Sequence, residues 1–201
     1  MTAHFKQGPG EATQADLFGA PASGPEGFRY QPDLLTAAEE AELANALGRL
    51  PFEPFDFHGH LAHRHVAGFG YRYDYASRRV RAAAPIPAFL EPLRRKIGGF
   101  ADIAPEDFVQ VLINAYRPGA GIGWHRDKPQ FEAVVGVSLL APCTFRFRRK
   151  TGDGWERIST PVAPRSAYLL TGPARHLWEH SIPPLDRQRY SITLRSLATA
   201  R

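Results

Sequence analysis

The sequence predicts an α+β, mainly β fold, a closed or sandwiched antiparallel sheet with helices against one side. Three observations predict it. Helix patterns occur early, at residues 35–50 and 85–100. Short runs rich in β-branched and aromatic residues dominate the rest at even spacing. Turn signals such as RPGAG and TGDG separate these runs.

The first helix reads LTAAEEAELANALGRL, with Thr36 and Glu39 at capping-box spacing and Leu43 and Leu47 on one face. The second reads PIPAFLEPLRRKIGGF, with proline at its start and Gly98-Gly99 as its expected stop. Strands are expected at PFEPFDFHG, HRHVAGFGYRYDY, FVQVLINAY, AVVGVSLLAP, TFRFRRK, WERISTPV, SAYLLTG and RYSITLRSL.

Residues 1–27 are rich in Gly, Pro, Ala and Ser and read as a mostly disordered tail. The folded domain is expected over 28–201. The 201 residues suit one domain with a full core. A net charge of +5 makes a polyanionic partner plausible but does not specify one. The single cysteine, Cys143, cannot form an internal disulfide, which points to a reducing cytosol. The N-terminus lacks the apolar core of a signal peptide, and no apolar run approaches the roughly 20 residues that span a bilayer. A cytoplasmic protein outside the membrane is therefore expected.

The chemistry concentrates in NAYRPGAGIGWHRDK. Alternation on a strand would put His125 and Asp127 on one face, with Arg126 and Lys128 on the other. One imidazole and one carboxylate are two parts of the facial triad that holds non-haem Fe(II) with open positions. His180, in RHLWEHSIPP, is the best third ligand. The same alternation puts Arg189, Ser191, Thr193 and Arg195 on one face of an apolar strand. Two guanidinium groups there are costly to bury unless each meets an anion, and a dicarboxylate would serve both. Asn114 and Tyr116 share a strand face and can donate to a carboxylate.

These stretches resemble the AlkB family of Fe(II)- and 2-oxoglutarate-dependent dioxygenases, in the order N-x-Y-x-P-G, H-x-D, H and R-x-[NS]-x-T-x-R. The resemblance covers residues 114–195 and extends through FGYRYDY to about residue 28. It implies a double-stranded β-helix, or jelly-roll. It also implies that His125, Asp127 and His180 hold Fe(II). Asn114, Tyr116, Arg189, Ser191 and Arg195 would hold 2-oxoglutarate. Within that set Arg189 would take the distal carboxylate, and Arg195 would lie beside the chelating end. Many members have Asn at the position of Ser191. The implied reaction uses O₂ and 2-oxoglutarate to oxidise an N-methyl carbon of a nucleobase, in DNA or RNA, releasing succinate, CO₂ and formaldehyde.

FGYRYDY resembles the family's nucleotide-recognition lid, expected over about 52–80. Phe69, Tyr71, Tyr73 and Tyr75 alternate along it and are candidates for stacking on a base. Phe69 and Tyr75 suit a core row equally well, and Trp178 suits either a pocket wall or the core. Phe145 and Phe147 are expected inward, and Arg146 and Arg148 outward. With Arg149, Lys150, Arg78, Arg79 and Arg81 they would line a phosphate track. Some relatives carry an acidic residue two positions after the metal aspartate, on the damaged base. Pro129 stands there instead. The tail stretch QADLF resembles peptides that dock on bacterial sliding clamps, with Gln14, Asp16, Leu17 and Phe18 as contacts. A monomer is expected. The rival reading is a hydroxylase or demethylase of a protein side chain or metabolite.

Overall fold

The computed structural model describes residues 24–57, 60–74 and 79–198. The tail peptide QADLF lies outside them. β1 (Phe28–Gln31) precedes α1 (Ala37–Leu47). α1 begins in the expected capping box: Glu39 N–H donates to the Thr36 hydroxyl at 3.2 Å, and Thr36 N–H donates to the Glu39 carboxylate at 2.7 Å.

β2 (Glu53–Phe57), β3 (His60–Asp74) and β4 (Arg79–Ala82) follow. α2 (Glu91–Ala101) then departs from expectation. It runs through Gly98-Gly99 and stops at Asp102, whose φ of 59° is left-handed. Gly98 serves a close approach instead, because a Cβ there would lie 2.9 Å from the Ile103 carbonyl oxygen.

The remaining strands are β5 (Phe108–Tyr116), β6 (Ile122–His125), β7 (Phe131–Leu139), β8 (Cys143–Thr151), β9 (Gly154–Val162), β10 (Ala167–Leu170), β11 (Glu179–Ile182) and β12 (Arg189–Leu197). The short helix α3 (Gly172–His176) separates β10 from β11. The expectation lacked β1, β4, β6, β11 and α3 as elements. Each has four or five residues, too few to show a period.

The pairs are antiparallel and form two facing sheets. The major sheet runs β1-β10-β7-β12-β5-β3-β2, with β4 extending β3, and the minor sheet runs β6-β11-β8-β9. This is the jelly-roll expected. Alternation on the major sheet divides the core in two. Val111, Ile113, Val135, Val137, Ile192 and Leu194 face α1 and α2, where they meet Leu43, Leu47, Leu93 and Ile97. Between the sheets, Val134 and Tyr168 meet Phe145, Phe147 and Ile182. Gly136 lies opposite Tyr168, and a Cβ there would lie 2.2 Å from the phenol ring, so only glycine lets that ring cross the strand. Among the described residues no helix is long and apolar enough to cross a membrane.

Candidate metal centre

The site lies between the sheets, on the face of β12 turned away from the helices. Register fixes its layout. Arg189 stands opposite Tyr116, Ser191 opposite Asn114, and Arg195 opposite Gln110. Ile192 and Leu194 point to the helix layer, so the alternate residues must point inward. Arg189 is 0% exposed and Arg195 9%, so neither reaches solvent at a sheet edge.

His125 ends β6 and pairs in register with His180 on β11, with ring centroids 4.3 Å apart. Asp127 corrects the expectation of a shared strand face. β6 stops at His125, and Asp127 lies in the following loop. Its carboxylate is placed by other elements. Arg195 Nε and Nη2 donate to Asp127 Oδ1 at 2.8 and 2.7 Å. The loop itself is tied down by buried Arg175, which donates to the carbonyls of Lys128 and Phe131. Asp127 Oδ2 then lies 3.5 Å from His180 Nε2. One ligand atom from each of His125, Asp127 and His180 falls within 4.8 Å of the others. The Gly123 carbonyl lies 2.9 Å from His125 Nδ1, which as N–H donates to it and leaves Nε2 for a metal.

The electrostatics suit a cation. Burial would raise the Asp127 carboxyl, but the Arg195 guanidinium and the two imidazoles outweigh it and hold Asp127 below the usual carboxylate range. Burial and then the neighbouring His125 push His180 down to about 3, and burial likewise lowers His125. Both imidazoles are therefore neutral near pH 7, the form that ligates metal.

On the same sheet face, buried polar groups lack protein partners. Arg189 Nε donates to the Ser138 hydroxyl at 3.0 Å, while Nη1 and Nη2 meet no protein acceptor. Its guanidinium lies 5.2 Å from the Tyr116 ring centroid. The side-chain oxygen of Asn114 is also buried without a partner. Burial pushes the Tyr116 phenol up, so it stays neutral. A buried cation with two free nitrogens costs several kcal/mol unless an anion joins it. The residues present fit a dicarboxylate reaching from the cluster to Arg189. Ser138 and Gln110 were missed in the sequence. Gln110 had a signal, since it lies four residues before Asn114 on the same face of an apolar strand.

The described aromatic candidates, Phe69, Tyr71 and Trp178, lie in three different places. Phe69 pairs with Val111 and packs on the helix-facing core, so it is not at the site. Gly70 follows with φ 80°, and β3 then begins to pair with β4. Tyr71 is 40% exposed, and its carbonyl accepts from Gln110 Nε2 at 2.7 Å. The side chain of Tyr73, and Tyr75, lie outside the described residues. Trp178 is buried in the inter-sheet core, edge-on to Phe147 at 6.4 Å.

Comparison with known proteins agrees with this geometry. The model of the 2OG-Fe(II) oxygenase superfamily matches residues 27–195. An Arabidopsis thaliana protein named "Alkylated DNA repair protein ALKBH8 homolog" is 30% identical, over 85% of this chain and 55% of its own length. The tRNA (carboxymethyluridine(34)-5-O)-methyltransferase ALKBH8 of Mus musculus is 29% identical, over 80% of this chain and 24% of its own. The alpha-ketoglutarate-dependent dioxygenase AlkB of Salmonella typhimurium is 31% identical, over 63% of this chain and 64% of its own. The chain thus spans only part of each of these relatives. The solved structure of OsALKBH1 shares the fold, with a TM-score of 0.61 at 17% identity over 88% of this chain and all of that one. A ligand cluster of His125, Asp127 and His180, with the buried guanidinium of Arg189 on the same sheet face, on a chain so matched, leads to one conclusion: the chain belongs to the 2OG-Fe(II) oxygenase superfamily as an AlkB-related dioxygenase domain that uses Fe(II), 2-oxoglutarate and O₂.

Proposed function

We propose that this domain oxidatively removes alkyl groups from ring nitrogens of nucleic-acid bases, in DNA first. His125, Asp127 and His180 would hold the iron, which would supply the oxidising chemistry when bound with O₂. Asn114, Tyr116, Ser191, Arg189 and Arg195 hold 2-oxoglutarate, with its distal carboxylate on Arg189. The reaction class is oxidative N-demethylation, which would consume O₂ and 2-oxoglutarate and release succinate, CO₂ and the methyl carbon as formaldehyde.

The likeness to relatives named for alkylated-DNA repair and AlkB supports the substrate class, and the residue that links the centre to β3 is Gln110. It accepts from Arg195 at 2.8 Å and donates to the Tyr71 carbonyl, so it ties a half-exposed tyrosine of β3 to the arginine that holds Asp127. We take residues 52–80 as the lid that receives a base extruded from its stack. Tyr71 and Tyr73 are its stacking residues. Pro129, in place of an acidic side chain, removes one base contact and broadens the choice of lesion. RNA is the second reading, favoured by the tRNA-directed name of the mouse relative. Monomeric action and docking on a sliding clamp through Gln14, Asp16, Leu17 and Phe18 complete the proposal. The clamp arm rests on the sequence QADLF alone.

The test is incubation with Fe(II), 2-oxoglutarate, ascorbate and methylated single- and double-stranded DNA or RNA. Loss of the methyl group with matching formaldehyde is expected. Turnover of 2-oxoglutarate that no alkylated oligonucleotide stimulates would contradict the proposal and favour a protein or metabolite substrate.

A further inference from the structure

The outer face of the minor sheet carries a second constellation, on the opposite side of β8 from the core. Phe145 and Phe147 point inward as expected, at 1% and 0% exposure, so Thr144, Arg146, Arg148 and Lys150 point outward. Register then places Trp155 opposite Lys150 and Arg157 opposite Arg148. β6 adds Trp124 to the same face. The Arg148 guanidinium lies 4.6 Å from the Trp124 ring centroid and 4.3 Å from that of Trp155. Arg146 lies 5.0 Å from Trp124.

A ladder built only for stability needs one arginine between the two indoles. This face has more. Glu179 accepts from Arg148 Nε at 2.6 Å, which neutralises the central cation. Arg146, Lys150 and Arg157 remain as an excess of one sign, and Lys150 and Arg157 are exposed. Arg148 covers one side of the Trp155 ring, yet Trp155 stays 40% exposed. Cations that track phosphates, interleaved with an exposed aromatic ring, are the parts of a single-strand-binding surface.

We propose that this outer face binds a single-stranded polynucleotide, with phosphates on Arg146, Lys150 and Arg157 and a base against Trp155. It rests on the proposed nucleic-acid substrate only for where the strand comes from. Trp124 adjoins the ligand His125 in sequence, so the strand would run along the outside of the sheet that carries two of the three metal ligands.

The test is fluorescence anisotropy of the full chain with labelled, unmodified oligothymidylate and oligouridylate across a salt series. Both should bind alike, because the face reads phosphates and ring faces only. Trp155→Ala should weaken binding about tenfold, and Trp155→Phe should restore most of it. Lys150→Ala with Arg157→Ala should lower the slope of log affinity against log salt by about 1.4. Arg189→Met should leave this binding unchanged, so failure of catalysis and failure of docking are read separately. Equal affinity in wild type and the Trp155→Ala and Lys150→Ala/Arg157→Ala variants, or equal affinity for duplex and single strand, would overturn the proposal.

Discussion

Arg195 lays two nitrogens on one oxygen of Asp127, at 2.8 and 2.7 Å, and a third on Gln110 at 2.8 Å. One carboxylate oxygen is thus occupied by the protein and the other faces His180. The arrangement fixes which oxygen a metal can take. It also joins the ligand, through Gln110, to the backbone of Tyr71.

Replacing Gln110 tests that link. Gln110→Met orphans Arg195 Nη1 and the Tyr71 carbonyl together, which should cost about 1–3 kcal/mol in urea unfolding. It should also lower the ratio of demethylated base to succinate, because β3 loses its tie to the centre. A variant with the wild-type ratio would show that Gln110 is structural only.

Asp127→Ala should destabilise the metal-free protein as well as abolish metal binding. It leaves Arg195 as a buried charge without a carboxylate, a change that typically costs about 3–5 kcal/mol. His180→Ala leaves no such charge and should cost less in the metal-free state. The comparison is made by chemical denaturation in a chelating buffer. Adding Arg195→Met to Asp127→Ala should recover part of the loss.

Arg189 predicts the opposite sign. Its two terminal nitrogens meet no protein acceptor, so Arg189→Met relieves an uncompensated charge. The apo variant should melt no lower than wild type. Wild type should gain about 2.7 kcal/mol from 2-oxoglutarate at one hundred times its dissociation constant, and the variant should gain none. Thermal melts with and without cosubstrate in the metal-loaded protein measure both.

Glu39 carries the pH dependence on the helix side. First the Lys96 ammonium and then Thr36 N–H hold its carboxyl down to about 2, from 4.5. A depressed carboxyl contributes fully above the unfolded value and loses that contribution as pH falls through the folded one. The thermal midpoint of Glu39→Gln should therefore lie below wild type above pH 4.5 and converge with it towards pH 2. Exposure keeps the difference small. A constant offset across that range would contradict the assignment.

Much of this was legible because strand alternation survives burial. Arg189, Ser191 and Arg195 could be put on one face from RYSITLR alone, and Asn114 and Tyr116 likewise, and register brings the two faces together. Asp127 does join the His125 and His180 cluster, but not through strand alternation. Its place is set by Arg195, 68 residues away, which no local period can reveal. Phe69 was left open between a stacking role and a core row, and its register opposite Val111 puts it in the helix-facing core. The helix stop failed: Gly98 answers to a neighbour's backbone at Ile103, a tertiary demand that composition does not show.

The most direct test of the account is a crystal structure with Mn(II), which binds without turnover, and 2-oxoglutarate. The account predicts the metal on His125, Asp127 and His180, with the distal carboxylate of the cosubstrate on Nη1 and Nη2 of Arg189. Metal bound elsewhere, or 2-oxoglutarate seated with those two nitrogens still unpartnered, would contradict it.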